Sequence, residues 1–153
     1  MGFRKRHEDA PDVSPELLAE LRAIDLFADL APDHLAHVGE LVEIKLVRAE
    51  EEIVREGTHT YEFFVVLRGT ADATIRGKRR TIFGPGEFFG ELAIIGHTQT
   101  ATVTAEDQMR LGVIDAKEFK ELLETEPSIS VHMVERLIVR LEELMSRPLG
   151  QLL

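Results

Sequence analysis

The stretch Phe83-Gly84-Pro85-Gly86-Glu87-Phe88-Phe89-Gly90-Glu91-Leu92-Ala93-Ile94-Ile95, followed by Thr100-Ala101-Thr102-Val103-Thr104-Ala105, decides how the rest of the chain is read. A glycine ahead of a short turn of helix leaves backbone N–H groups exposed at the start of that turn, where an anion can sit without a cationic side chain. Gly90 permits such an approach. Glu91 stands at the same end, too acidic to help a phosphate but well placed to accept a hydrogen bond from a ribose hydroxyl. On the plainest reading it only favours the N-terminus of the turn by its charge.

On either side of this stretch the chain reads as short strands. Val42, Ile44 and Leu46 alternate with Glu43 and Lys45, and similar pieces recur at Ile53-Val54, Phe63 to Leu67, Thr70 to Ile75, Arg79 to Ile82, Thr100 to Ala105 and Arg110 to Ile114. Gly57, Gly69, Gly77 and the Gly84-Pro85-Gly86 cluster punctuate them as turns. Many short strands with regular turns mean a sandwich, a roll or a barrel. A pocket inside a roll suits a sugar phosphate.

Helices flank the strands. Ser14-Pro15 is a cap followed by a proline at the first helical position, with Leu17, Leu18, Leu21 and Ile24 on one face. A second short helix from Pro32 carries Leu35 and Val38 inward, and the link Ile24-Asp25-Leu26-Phe27 is apolar enough to dock. Beyond the strands, Asp115 and Glu118 have capping-box spacing ahead of Phe119, Leu122 and Leu123. Pro127 opens a longer helix in which Val131, Val134, Ile138, Leu141 and Met145 form a stripe that Leu137 and Leu144 widen. A stripe so broad can serve both the roll and a second copy of itself.

Composition removes several classes of function. The chain has 153 residues, enough for one domain with one sizeable core. Cysteine is absent, and with it disulfides, thiolate metal sites and thiol nucleophiles. The net charge of −10 repels nucleic acid and anionic membranes, so an anionic ligand needs a local site built against that field. The longest aliphatic or aromatic run is Phe63 to Leu67, short of a spanning helix, and the N-terminus lacks the apolar stretch of a secretory signal. A cytoplasmic location is expected. His34 and His37 have a spacing that can bind a metal but read better as a solvated helix face. Lys78-Arg79-Arg80 and Glu50-Glu51-Glu52 read as solvated turns. No His-x-His motif, Gly-Lys-Ser/Thr motif or nucleophile–base arrangement stands in the sequence, so no catalytic residue, metal or cofactor is expected.

Taken in order, Leu26-Phe27, Glu56-Gly57, Phe63-Phe64-Val65-Val66-Leu67-Arg68-Gly69, Pro85 to Ala93, Thr100 to Ala105, Phe119 and the long last helix resemble the cyclic nucleotide-binding domain. Bacterial catabolite-activator-type regulators, protein kinase regulatory subunits and gated channels share that domain. The resemblance implies an α+β fold, a jelly-roll β-roll of about eight short antiparallel strands. N-terminal helices, a short phosphate-binding-cassette helix and C-terminal helices would flank it. The expected division is a flexible tail over 1–13 and one domain over 14–153, with helices in 14–40, the roll in 41–114 and helices in 115–147.

The resemblance also implies a site. Phe89, Gly90, Glu91, Leu92, Ala93, Gln99, Thr100 and Ala101 would bind the ligand, cAMP or cGMP or a related small anion. Glu91 would hold the ribose 2′-hydroxyl, the amides of Leu92 and Ala93 would meet the phosphate, and Thr100 would bear on the choice of base. Leu141 or Leu144 would lid that base. One position departs from the pattern. Relatives carry an arginine that pairs with the phosphate where this chain has Gln99. Loss of one partner of a buried charge pair costs roughly 2–5 kcal/mol, and Glu91 at ~5 Å from a phosphate opposes it by about 3 kcal/mol at an effective dielectric of ~20. Binding is therefore expected to be weak. Gln99 donates a hydrogen bond without charge, and His97 brings charge only when protonated.

The expected function is a ligand-sensing regulatory module that signals through its last helix to an unnamed downstream protein. The alternative is a member of the family that no longer binds nucleotide and serves as a dimeric interaction scaffold. A homodimer through residues 131–145 is expected in either case. No DNA binding within this chain is expected, since little sequence follows that helix for a helix-turn-helix.

Overall fold

The computed structural model describes residues 13 to 146. The tail expected over 1–13 lies outside the described residues except for Val13, which is not free: a Cβ added at Gly39 would fall 2.6 Å from its Cγ1.

Two N-terminal helices come first, α1 (Pro15–Arg22) and α2 (Pro32–Leu41), joined through a 3-10 turn at Asp25–Phe27. Each begins with proline at its first turn, and the Ser14 hydroxyl accepts the Leu17 N–H to cap α1. The linking turn docks as its composition requires, with Leu26 and Phe27 buried. Eight strands follow: β1 (Glu43–Val47), β2 (Glu52–Val54), β3 (Glu62–Arg68), β4 (Ala71–Ile75), β5 (Lys78–Phe83), β6 (Phe88–Phe89), β7 (Thr102–Ala105) and β8 (Met109–Asp115). A 3-10 turn at Glu91–Ile95 separates β6 from β7. The chain then forms α3 (Ala116–Thr125), capped by the Asp115 carboxylate, and α4 (Pro127–Met145).

All pairings are antiparallel, in two four-stranded sheets of order β1-β8-β3-β6 and β2-β7-β4-β5. This is the expected α+β roll with helices at both ends of the chain. Strand β3 shows why its sequence is apolar throughout. Phe63 and Val65 point into a core shared with the helices, whereas Phe64 and Val66 point between the sheets, so both faces are buried. The helix-side core brings together Leu21, Phe27, Val38, Ile114, Phe119 and Ile129. Phe63 stacks on Phe119 with centroids 3.9 Å apart, tying α3 to the sheet.

Several residues sit differently from their sequence pattern. Ile44 and Leu46 alternate on schedule but face outward on edge strand β1, whose inward side near its end is Val47. Lys78-Arg79-Arg80 is not a turn but the start of β5, where Arg79 pairs with Asp72 at 2.8 Å and Glu106 at 3.1 Å. Glu52 belongs to β2 and pairs with Arg55. His34 contacts Glu126 at 3.1 Å and His37 contacts Glu40 at 3.6 Å, and among the described residues no group of three metal-ligating side chains occurs. No helix among the described residues is long and apolar enough to cross a membrane.

Candidate functional site

The segment from Phe88 to Ala101 is built outward from β3. Strand β6 has only two residues, and it pairs Phe89 with Phe64 and Phe88 with Val65. Phe89 points between the sheets, stacked on Phe64 and Phe83 at 5.0 and 5.5 Å, while Phe88 points to the helix side. Gly90 then turns the chain at φ +84. A Cβ there would lie 2.9 Å from the Phe64 ring and 3.0 Å from the Glu62 carbonyl oxygen, so both the dihedral and the contact demand glycine.

The 3-10 turn that follows is held by its own bonds: Ala93 N–H donates to the Gly90 carbonyl, Gly96 N–H to that of Ala93 and His97 N–H to that of Leu92. Leu92 and Ala93 are half-buried, and His97 is exposed. Gln99 is drawn inside. Its N–H donates to the Thr58 carbonyl and its carbonyl accepts from Gly57, which fastens it to the turn after β2. The residue is 6% exposed, and its side-chain amide nitrogen has no hydrogen-bond partner. Thr100 is exposed, and Ala101 packs on the core between the sheets.

Glu91 heads the turn with its Oε1 buried and without a hydrogen bond. The group facing it comes from α4: Arg140 Nη1 lies 3.6 Å from that oxygen. The same guanidinium donates from Nη2 to the Phe88 carbonyl and lies over the Phe88 and Phe83 rings, 4.2 and 4.8 Å from their centroids. Arg140 Nε has no partner. Desolvation lowers its pKa, against the pull of Glu91 and Glu87 in the other direction.

One turn earlier Arg136 Nη2 donates to Glu87 Oε1 at 2.6 Å. A cleft of about 420 Å³ opens on this side, where Leu26, Glu87, Phe88, His132, Arg136 and Val139 meet, and none of residues 89 to 101 lines it. Leu141 and Leu144 are 55% and 42% exposed. From α4, Arg140 reaches the cassette at Glu91. Neither Arg136 nor Arg140 was singled out by the sequence, although both share the side of α4 that carries Met133 and Leu137 into the core. Basic residues at that spacing within a core-facing stripe are the signal that was present.

Comparison with known proteins agrees with the fold. The family model described as the cyclic nucleotide-binding domain matches residues 44–126. A cAMP-dependent protein kinase regulatory subunit of Eremothecium gossypii is 33% identical over 99 residues, 64% of this chain and 22% of that protein. A cGMP-dependent protein kinase of Drosophila melanogaster, isozyme 2 forms cD5/T2, is 31% identical over 112 residues, 67% of this chain and 12% of that one. The chain therefore spans less than a quarter of either relative. Among solved structures, one described as Sp-2Cl-cAMPS bound to PKAR CBD2 superposes with a TM-score of 0.73 at 25% identity, covering 96% of this chain and 97% of that one. With a matched family model across more than half its length and a β-roll of the same build, this chain belongs to the cyclic nucleotide-binding domain family.

Proposed function

We propose that this chain is a regulatory, non-catalytic sensor module that binds a cyclic nucleotide, cAMP or cGMP, weakly at the cassette of residues 89–101 and signals through α4. The observation that carries the reading is the buried, unbonded Oε1 of Glu91 at the head of the cassette. A buried carboxylate oxygen whose facing cation stands at 3.6 Å is under-satisfied, and a ribose hydroxyl supplies a hydrogen bond that it lacks. The unpartnered amide of Gln99 adds a donor without charge, which suits binding that is real but feeble. Signalling through α4 rests on Arg140, which touches the cassette directly from that helix. A cytoplasmic setting, an unnamed downstream protein and a homodimer through α4 belong to the same proposal.

Calorimetry with cAMP and cGMP tests it. Weak binding is expected for the native chain, and Gln99→Arg is expected to tighten it by at least tenfold, about 1.4 kcal/mol. An unimproved Gln99→Arg variant would mean that the pocket is not this one. The scaffold reading draws on a different observation, the exposed apolar stripe of α4, and gains ground if neither protein binds either nucleotide.

A further inference from the structure

The cassette has a cation, and it comes from outside the cassette. Position 99 holds a neutral amide, yet a guanidinium is lodged beside Glu91, on a helix that begins nearly thirty residues after that position. That guanidinium donates to the Phe88 carbonyl but is only partly satisfied where it stands. Its Nε makes no hydrogen bond, its contact with Glu91 is 3.6 Å, and the facing Oε1 is itself unbonded. One guanidinium and one carboxylate thus share a loose ion pair, through Nη1 and Oε1, in which the carboxylate oxygen and the guanidinium Nε each lack a hydrogen bond. A molecule with a hydroxyl and an anionic oxygen one sugar ring apart satisfies both: the hydroxyl donates to Glu91 and the anion accepts from Arg140. The faces of Phe83 and Phe88 steady the guanidinium meanwhile.

We propose that Arg140 is the anion-binding cation of this cassette, carried on the last helix in place of an arginine at position 99, so that the ligand's phosphate is gripped by α4 itself. The inference rests on the sensor reading above and deepens it, because the residue that binds the anion is then the residue that moves the signalling element. Ligand need not act on α4 at a distance.

The test uses the full chain and competition of cAMP against a fluorescent cAMP analogue. Four proteins are compared: native, Arg140→Gln, Gln99→Arg, and the double variant. Arg140→Gln is expected to weaken cAMP at least tenfold, and Gln99→Arg in the Arg140→Gln background to recover the loss. An Arg140→Gln protein that binds cAMP as tightly as native, or more tightly, while Gln99→Arg binds well, overturns the proposal and leaves Arg140 a brace or a plug. Absence of binding in both native and Gln99→Arg proteins sinks the sensor reading, and this inference with it. A second measurement does not depend on the variants folding. In the native protein the Arg140 Nε–H resonance is expected to shift on adding cAMP but not on adding adenosine, which lacks the phosphate. Equal shifts with both, or none with cAMP, reject anion binding by Arg140.

Discussion

At Gly90 a single hydrogen in place of a side chain lets the cassette lie against β3, with the Phe64 ring and the Glu62 carbonyl closing the space where a Cβ would go. Gly90→Ala should cost about 1–3 kcal/mol, since it combines an unfavourable φ with a backbone clash. Urea unfolding measures this as a lower midpoint, with the slope unchanged if the unfolded state is unaltered. Gly57, in an equally left-handed conformation but with nothing within 4 Å, should lose less on the same substitution. At this scale the sequence spoke clearly about Gly90 and Glu91, because dihedral need and charge are local properties. It was silent about Arg140, which meets a carboxylate 49 positions earlier in the chain. Gln99 lay between these cases. The neutral residue was visible in the sequence, but its burial against the Gly57-Thr58 turn was not.

The last helix is tied down by polar contacts along its length. Glu126 just before it meets His34, His132 meets Asp29 at 2.7 Å, Arg136 meets Glu87, and Arg140 meets the cassette. Chiefly through its hydrogen bond with Asp29, His132 is protonated more readily in the fold than in the open chain, with Glu135 adding to the effect against desolvation. A raised imidazole pKa contributes stability that is complete below the unfolded value and disappears as pH climbs through the folded one. Asp29→Asn should therefore lower the melting temperature at about pH 5.5 and make little difference at about pH 8.5. Thermal melts across that interval check it, and a loss independent of pH would show that the contact has no ionic part. Helices and most strands were legible, because caps, prolines and period-two alternation are written in adjacent residues. Strand β6 was not, since two residues carry no period, and the outward aspect of Ile44 and Leu46 depends on β1 lying at a sheet edge.

Across the molecule the helix-side core uses only part of α4. Ile129 and Met133 are buried, but Val131, Val134, Ile138, Leu141 and Met145 are each more than half exposed and follow three-four spacing down the opposite side. That pattern matches what a parallel helix pair requires, and a second copy of this chain offers the same surface. Sedimentation is expected to show a dimer at high micromolar concentration that Ile138→Glu dissociates; a monomer whose behaviour that substitution leaves unchanged would remove the dimer. The joint below this helix sets what any signal looks like. Phe119 bolts α3 to the sheet, and Glu126 is the single residue between α3 and the proline that opens α4. Were its contacts with Asp29, Glu87 and Glu91 released, α4 would act as a lever nearly 30 Å long on this short pivot, and a tilt of about 10° at its base would sweep the far end through about 5 Å. On the proposed mechanism, a small rearrangement at the cassette would then become a large displacement at Met145.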